Sequence, residues 1–382
     1  MSDQKVRFGV IGTGGMGSGH CNHMNQVPGA ELTAVCDIDP DTLAAVSAKH
    51  EVPAFAQPEL LLDSGLVDAV VIATPHYFHP PIAIEAFSRG IHVLSEKPIG
   101  VTVSAADQMI AAAEASGCTF GVMYQMRSLG STKLAKQLID DGRLGELYRT
   151  SMVLGWYRSQ AYYNSGGWRA TWAGEGGGVL INQAPHFLDL FAYLGGMPVK
   201  MTGSTRTRIH DIEVEDEAFA MLEYASGAHG YLYATTTESP SYEQFEFCGN
   251  KGKIQIQNGA IRFWETKGGI REHSLAATQM WEVPESPEVT LDIPAGQGRH
   301  IEITEDFVRA ILYGEELLSP GRDGLMAVEL IDGLIMAGHT GEPVTLPVDR
   351  AKYDAVISEL QANSQAKAEV NAQRVTDPHY TT

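Results

Sequence analysis

Val6-Arg7-Phe8-Gly9-Val10-Ile11-Gly12-Thr13-Gly14-Gly15-Met16-Gly17 is an apolar run that ends in G-x-G-x-x-G and opens a segment with helical spacing. In a chain with 40 glycines the pattern alone says little. Its setting says more: a strand precedes it, a helix follows, and Asp37 ends the next strand 20 residues after Gly17. Each position then has a physical task. Gly12 permits the tight turn, Gly14 lets the backbone approach a pyrophosphate, and Gly17 lets helix and strand pack closely. The helix N-terminus offers unpaired N–H groups and a partial positive charge to phosphates. Asp37 can accept both hydroxyls of an adenosine ribose. Because Cys36-Asp37-Ile38-Asp39 places two carboxylates and no arginine where a 2′-phosphate would lie, NAD is expected in preference to NADP.

Outward from this loop, apolar runs at Leu32–Cys36, Ala69–Ala73, His92–Leu94 and Thr119–Val122 alternate with helical patterns at Pro40–His50, Pro80–Arg89 and Ser104–Ala115. Strands separated by helices imply βαβ units and a parallel sheet, whose two covered faces explain the continuous apolar runs. Beyond residue 125 the texture changes. A helix at Ser131–Asp140 leads to a strand near Glu146–Leu154, a Gly- and Trp-rich stretch to Gly178, and a single helix over Leu180–Leu194. From about 199 to 265, strands follow one another through the hairpin signals Ala225-Ser226-Gly227, Asn250-Lys251-Gly252 and Asn258-Gly259. Helix returns at 299–313 and 321–338. The expected fold class is α/β: a parallel-sheet domain over 1–125, then an α+β domain over 126–362 with a large open-faced antiparallel sheet of at least five strands. A polar tail over 363–382 is expected to be an arm or disordered.

Composition narrows the function. The chain has 382 residues and a net charge of −20, which repels a polyanion and argues against nucleic acid as partner. Its 44% hydrophobic content supports a sizeable core. No apolar run approaches the roughly 18 residues that span a bilayer. Met1-Ser2-Asp3-Gln4-Lys5 leads into the first strand without a signal-peptide layout, so no membrane partner is expected. The scattered Cys21, Cys36, Cys118 and Cys248 are read as buried thiols of a reducing cytoplasm. Aromatic alternation at Tyr231 and Tyr233 suggests an exposed sheet face covered by a second copy, giving a homodimer or homotetramer.

Two further motifs are Glu96-Lys97-Pro98, after the His92–Leu94 run, and Gly176-Gly177-Gly178-Val179-Leu180-Ile181-Asn182-Gln183-Ala184-Pro185-His186-Phe187-Leu188-Asp189. With the glycine loop, and in this order, they resemble the glucose-fructose oxidoreductase / inositol dehydrogenase / MocA-type family over the chain to about residue 345. The resemblance implies a Rossmann domain plus an open-faced sheet, and NAD(P)-dependent oxidation or reduction of a hydroxyl carbon in a sugar, inositol or nucleotide sugar. It implies that Lys97 contacts both substrate and nicotinamide. Cofactor contacts follow at Gly12, Thr13, Gly14, Gly15, Met16, Gly17, Asp37 and Ile38, and toward the nicotinamide at Ala73, Thr74, Pro75, His76, His79, Glu96, Lys97 and Gln125. The family's helix motif reads Asp-x-x-x-His-x-x-Asp; here the first acid is Asn182, with His186 and Asp189 in place. The Asn-Gln version resembles a subset that includes enzymes oxidising C3 of sugars or nucleotide sugars.

Asn182, His186 and Asp189 at i, i+4 and i+7 would share one helix face. Removing a hydride from a carbinol also requires taking the hydroxyl proton. His186 suits that task, with a pKa near working pH. Lys97, beside a cationic nicotinamide, is pushed toward its neutral form and can polarise the same oxygen. Asn182 orients the hydroxyl without taking a proton, while Asp189 reads as a catalytic partner or as a structural ion pair. A substrate wall is expected from Tyr157, Arg158, Trp168 and Arg169, whose rings stack on sugar C–H faces and whose guanidinium forks bind hydroxyls or phosphate. Asn182 and His186 would also touch substrate, and His300 could reach the cleft. The pairs His76/His79 and His20/His23 lack a third metal ligand, so no metal is expected. Two alternatives stay open: a non-redox glycosidase of the same fold, in which NAD makes a transient ketone, and a cofactor-sensing protein without catalysis.

Overall fold

The computed structural model describes residues 5–368, 370 and 371; the expectations placed on residues 1–4 and on the end of the tail lie outside the described residues. The N-terminal half contains β1 (Val6–Ile11), α1 (Gly15–Met24), β2 (Ala30–Cys36), α2 (Pro40–His50), β3 (Ala54–Phe55), α3 (Pro58–Leu62), β4 (Ala69–Ile72), α4 (His79–Ser88), β5 (His92–Ser95), α5 (Val103–Ser116) and β6 (Phe120–Val122). All six strands are parallel, in the order β3-β2-β1-β4-β5-β6. β4 is buried along its whole length because helices cover both faces. Local signals set the helix bounds. Asp39 caps α2 by accepting from Thr42 N at 2.8 Å, with Pro40 in the first turn. Thr102 caps α5, which ends at left-handed Gly117. The strand order reverses between β1 and β4, and a crevice opens there at the carboxyl ends of the strands.

The second half contains α6 (Gly130–Asp140), β7 (Leu147–Tyr157), α7 (Gln160–Tyr163), α8 (Val179–Asn182), α9 (Pro185–Gly195), β8 (Lys200–Arg206), β9 (Glu217–Glu223), β10 (His229–Thr235), β11 (Thr237–Gly249), β12 (Gly252–Gln257), β13 (Ala260–Glu265), α10 (Ile270–Ala276), α11 (His300–Tyr313), α12 (Gly324–Thr340), β14 (Val344–Thr345) and α13 (Arg350–Ala362). Its eight strands order as β13-β12-β11-β7-β10-β9-β8-β14. The three hairpin signals lie at the β9–β10, β11–β12 and β12–β13 turns.

The sheet is mixed rather than purely antiparallel, since β7 and β10 run parallel. β7 enters before the α7–α9 crossover, and the later hairpin brings β10 back beside it in the same direction; such a long crossover is what a parallel pair requires. α9 and α12 cover one face of this sheet, where Phe187 stacks on Phe245 at 5.6 Å. On the other face, Phe219 and Met221 are exposed.

Two further expectations are corrected. The helix over 180–194 is two helices, because Pro185 offers no N–H to the preceding turn and starts α9. Asn182 therefore ends α8, while His186 and Asp189 sit on α9. Of the four cysteines, all free, only Cys21 and Cys36 are buried; Cys118, in the turn after α5, and Cys248, on β11, are half-buried. The first part of the tail is laid on the molecule: Gln365 N donates to Glu213 Oε2 at 3.0 Å, and Asn371 N to Asn164 O at 2.8 Å. Among the described residues no helix is long and apolar enough to cross a membrane.

Candidate active site

The glycine loop leaves β1 at the switch point. Gly12 has φ +86°, and a Cβ there would lie 2.7 Å from Ala73 O. Gly17 is closer still: its Cβ would fall 1.7 Å from Gly12 O, so only glycine lets α1 approach the turn. At Gly14 a Cβ would meet no atom within 4 Å, leaving a backbone cradle facing open space. Asp37 holds the loop, its Oδ2 accepting from Thr13 N at 2.7 Å and from Thr13 Oγ1 at 3.1 Å.

A cavity of about 1010 Å³ runs from this cradle to the second half. It is lined by Gly12, Gly14, Gly15, Met16, Asp37 and Ile38 at one end. Along its middle lie Ala73, Thr74, Pro75, His76, His79, Glu96, Lys97 and Gln125, and at the far end Arg158, Trp168, Arg169, Asn182, His186 and His300. Three expected residues lie off its surface. Thr13 is buried and spends its N–H and hydroxyl on Asp37, and Gly17 packs on Gly12. Tyr157 is 51% exposed, because strand alternation in β7 turns Trp156 and Arg158 toward the cavity and Tyr157 away.

β5 delivers Glu96 and Lys97 to the crevice, and the Lys97–Pro98 peptide bond is cis. Lys97 Nζ donates to Asn182 O at 2.9 Å, so the end of α8 receives the lysine. Burial pushes the ammonium's pKa down while the Glu96 and Glu175 carboxylates pull it up; burial prevails. Glu96 in turn pairs with His20 at 2.7 Å, both side chains buried. Burial also drives His186 well below the ordinary imidazole range, and the nearby Lys97 adds to this, so the ring is neutral in the empty cavity and not poised near working pH as the sequence suggests. His79 ties the floor together, its two ring nitrogens lying 2.8 Å from Pro98 O and 2.7 Å from Thr74 O. Asp189 does not reach the cavity: Arg127 forks onto it at 2.9 and 2.6 Å, which is the structural ion pair of the two readings.

Sequence reasoning missed Tyr162, Gln183 and Glu175. Tyr162 OH donates to Asn182 Oδ1 at 3.2 Å and accepts from Arg169 at 2.7 Å and Gln183 at 3.0 Å. The Arg169 guanidinium sits over the rings of Tyr162 and Trp168, 4.5 and 4.7 Å from their centroids. Tyr162 sits on the four-residue α7, Trp168, Arg169 and Glu175 on the irregular segment after it, and Gln183 just beyond α8; the aromatic-plus-arginine composition was the only signal of the first stretch. Among the described residues no group of three or more His, Cys, Asp or Glu is arranged to hold a metal ion.

The cavity fits a dinucleotide. The Gly14 cradle is open, Asp37 stands at its rim, and Thr74 Oγ1 and Gln125 Oε1 are buried without a hydrogen-bond partner.

Comparison with known proteins agrees. Residues 6–124 match the oxidoreductase family model with an NAD-binding Rossmann fold, and residues 132–255 match the GFO/IDH/MocA C-terminal domain. The inositol 2-dehydrogenase of Rubrobacter xylanophilus is 26% identical, over 89% of this chain and 93% of its own. The 2,7-anhydro-N-acetylneuraminate hydratase of Escherichia coli is 26% identical, over 89% of this chain and 82% of its own. The WlbA dehydrogenase of Bordetella pertussis, solved with NADH and UDP-GlcNAcA, superposes with a TM-score of 0.79 at 28% identity, covering 91% of this chain and all of that one. The chain thus belongs to the GFO/IDH/MocA family and is an NAD-dependent oxidoreductase.

Proposed function

We propose that this protein is a dehydrogenase that transfers hydride between a secondary hydroxyl carbon of a carbohydrate or polyol and NAD. The reading is carried by one observation: Lys97, Asn182 and His186 line the same cavity as the Gly14 cradle and Asp37. Residues 1–125 hold the dinucleotide and residues 126–362 supply the substrate wall. Gly14, Gly15 and Met16 hold the pyrophosphate, Asp37 and Ile38 the adenosine ribose, and the residues from Ala73 to Gln125 the nicotinamide half. The bound nicotinamide supplies the hydride acceptor. Lys97 hydrogen-bonds the reacting oxygen, His186 takes its proton, and Asn182 sets the position of Lys97 through its carbonyl. Arg158, Trp168 and Arg169 receive the ring and any phosphate it carries. An inositol 2-dehydrogenase and a dehydrogenase solved with UDP-GlcNAcA among the relatives support a cyclic polyol, sugar or nucleotide sugar as substrate, and a D-glucoside 3-dehydrogenase of Escherichia coli supports C3 of a sugar as the reacting position.

NAD over NADP is supported by Asp37 and Asp39, which both line the cavity and whose carboxylates would repel a 2′-phosphate. The exposed Phe219 and Met221 favour a sheet-to-sheet homodimer or homotetramer, and four free cysteines suit a reducing cytoplasm. Parallel titrations with NAD and NADP, followed by Asp37→Ser, test the cofactor preference. The wild type should favour NAD and the variant should lose most of that preference; equal affinities in the wild type would contradict it.

A further inference from the structure

Position 182 carries an amide, yet a buried carboxylate stands directly behind it. Glu175 is 1% exposed. Its Oε1 accepts from Asn182 Nδ2 and lies 3.7 Å from an Arg169 nitrogen. Its Oε2 accepts from Ala170 N at 2.5 Å. Ala170 reaches that geometry in the left-handed region, at φ +53°, which residues other than Gly, Asn and Asp rarely adopt. The backbone of the substrate wall is therefore bent so that an N–H meets this carboxylate.

Asn182 is held at three points with matched polarity. Its amide nitrogen donates to Glu175, its amide oxygen accepts from Tyr162, and its main-chain carbonyl accepts from Lys97 Nζ. One residue thus links the buried carboxylate to the lysine ammonium. We propose that Glu175 is a positioning residue that locks the Asn182 amide and supplies, from one residue further back, the negative charge that keeps Lys97 protonated until the cavity is filled. This rests on Lys97 handling the reacting oxygen.

The charges around the pair are of both signs. Glu96 and Glu175 favour the Lys97 ammonium, while Arg158 and Arg169 oppose it. His76, His79, His186 and His300 also face Lys97, and burial lowers all four. Around Glu175 stand Arg169, Lys367 and the buried Glu215. Glu175 is joined to Lys97 through Asn182, whereas Glu96 accepts directly from Lys97 N at 3.3 Å.

Cyanate reacts only with a neutral amine, so the pH dependence of Lys97 carbamylation, read by peptide mass spectrometry, reports its titration without substrate or NAD. Glu175→Gln should lower the midpoint by about one pH unit, the size expected on losing an opposite charge nearby. The swap Glu175→Gln with Asn182→Asp, which returns one carboxylate and one amide to the pair, should restore it. The same displacement should appear in the pH profile of kcat/KM. An unmoved midpoint in folded Glu175→Gln overturns the proposal. Should that variant not fold, the swap decides: a wild-type midpoint supports the proposal, while a displaced midpoint or an unfolded protein overturns it. A protein that oxidises no carbohydrate would still give the carbamylation midpoints, so the two readings fail separately.

Discussion

Lys97 and Asn182 meet across the two halves of the molecule, the lysine Nζ donating to the asparagine main-chain carbonyl at 2.9 Å. Lys97 comes from the end of the parallel sheet and Asn182 from the last turn of α8, so the contact joins the proposed cofactor and substrate regions at the point of chemistry. Lys97→Met keeps the length of the side chain and removes its charge and donors. Turnover should fall by about 10²–10⁴-fold, the usual contribution of a positioned proton-transfer group, while NAD still binds. Steady-state kinetics with a parallel fluorescence titration check this; unchanged kcat would remove Lys97 from the reaction.

Gly17 is fixed by contact with Gly12. A methyl group at 17 would have to displace the Gly12 carbonyl, 1.7 Å away. Gly17→Ala should cost about 1–3 kcal/mol, as overpacking does elsewhere, and should abolish NAD binding by tilting α1. Urea unfolding and cofactor titration measure the two effects.

Arg127 forks onto Asp189 and reaches Asp323 at 2.7 Å, with Arg127 and Asp189 both buried. Removing the guanidinium leaves a carboxylate buried without its partner. Arg127→Met should therefore lose about 3–5 kcal/mol, whereas the pair Arg127→Met with Asp189→Leu should regain most of it. Equal stabilities for the single and double variants would mean that the ion pair does not organise α9.

The Glu215 carboxylate accepts from Gly178 N at 2.9 Å and Leu180 N at 3.0 Å at the start of α8. Burial pushes its pKa up to about 7, against those two N–H groups. A carboxyl raised above its unfolded value stabilises the fold fully below that value, 4.5, and loses this contribution as pH rises through 7. Glu215→Gln keeps an acceptor for both N–H groups and removes the charge. The variant should gain on the wild type between pH 4.5 and 8, by up to about 3 kcal/mol at the alkaline end. Denaturation curves across that range check the sign; a variant that loses ground with rising pH would contradict it.

The glycine loop and the parallel strands were legible because their residues report on local constraints: glycines where backbone must approach backbone, and apolar runs where helices cover both faces. β3 was not, since two residues carry no period. The break between α8 and α9 was marked by Pro185, but the i, i+4, i+7 spacing of Asn182, His186 and Asp189 suggested one helix. The parallel β7–β10 pairing follows from chain order in three dimensions, which hairpin signals do not encode. In the site, Lys97 and His186 stood out through motifs, whereas Tyr162, on a single turn of helix, and Glu175, on an irregular loop, act through contacts that no sequence period marks. Tyr157 was misplaced by composition alone: its neighbour Trp156 has the facing parity.

The most direct test is hydride transfer itself. Purified protein with NAD is offered sugars, inositols and nucleotide sugars, and growth of the reduced-nicotinamide absorbance is followed for the wild type and Lys97→Met. Hydride transfer to NAD on one carbohydrate class, lost in the variant while NAD still binds, is the predicted result. Tight NAD binding with no reduced cofactor on any of them would contradict the dehydrogenase.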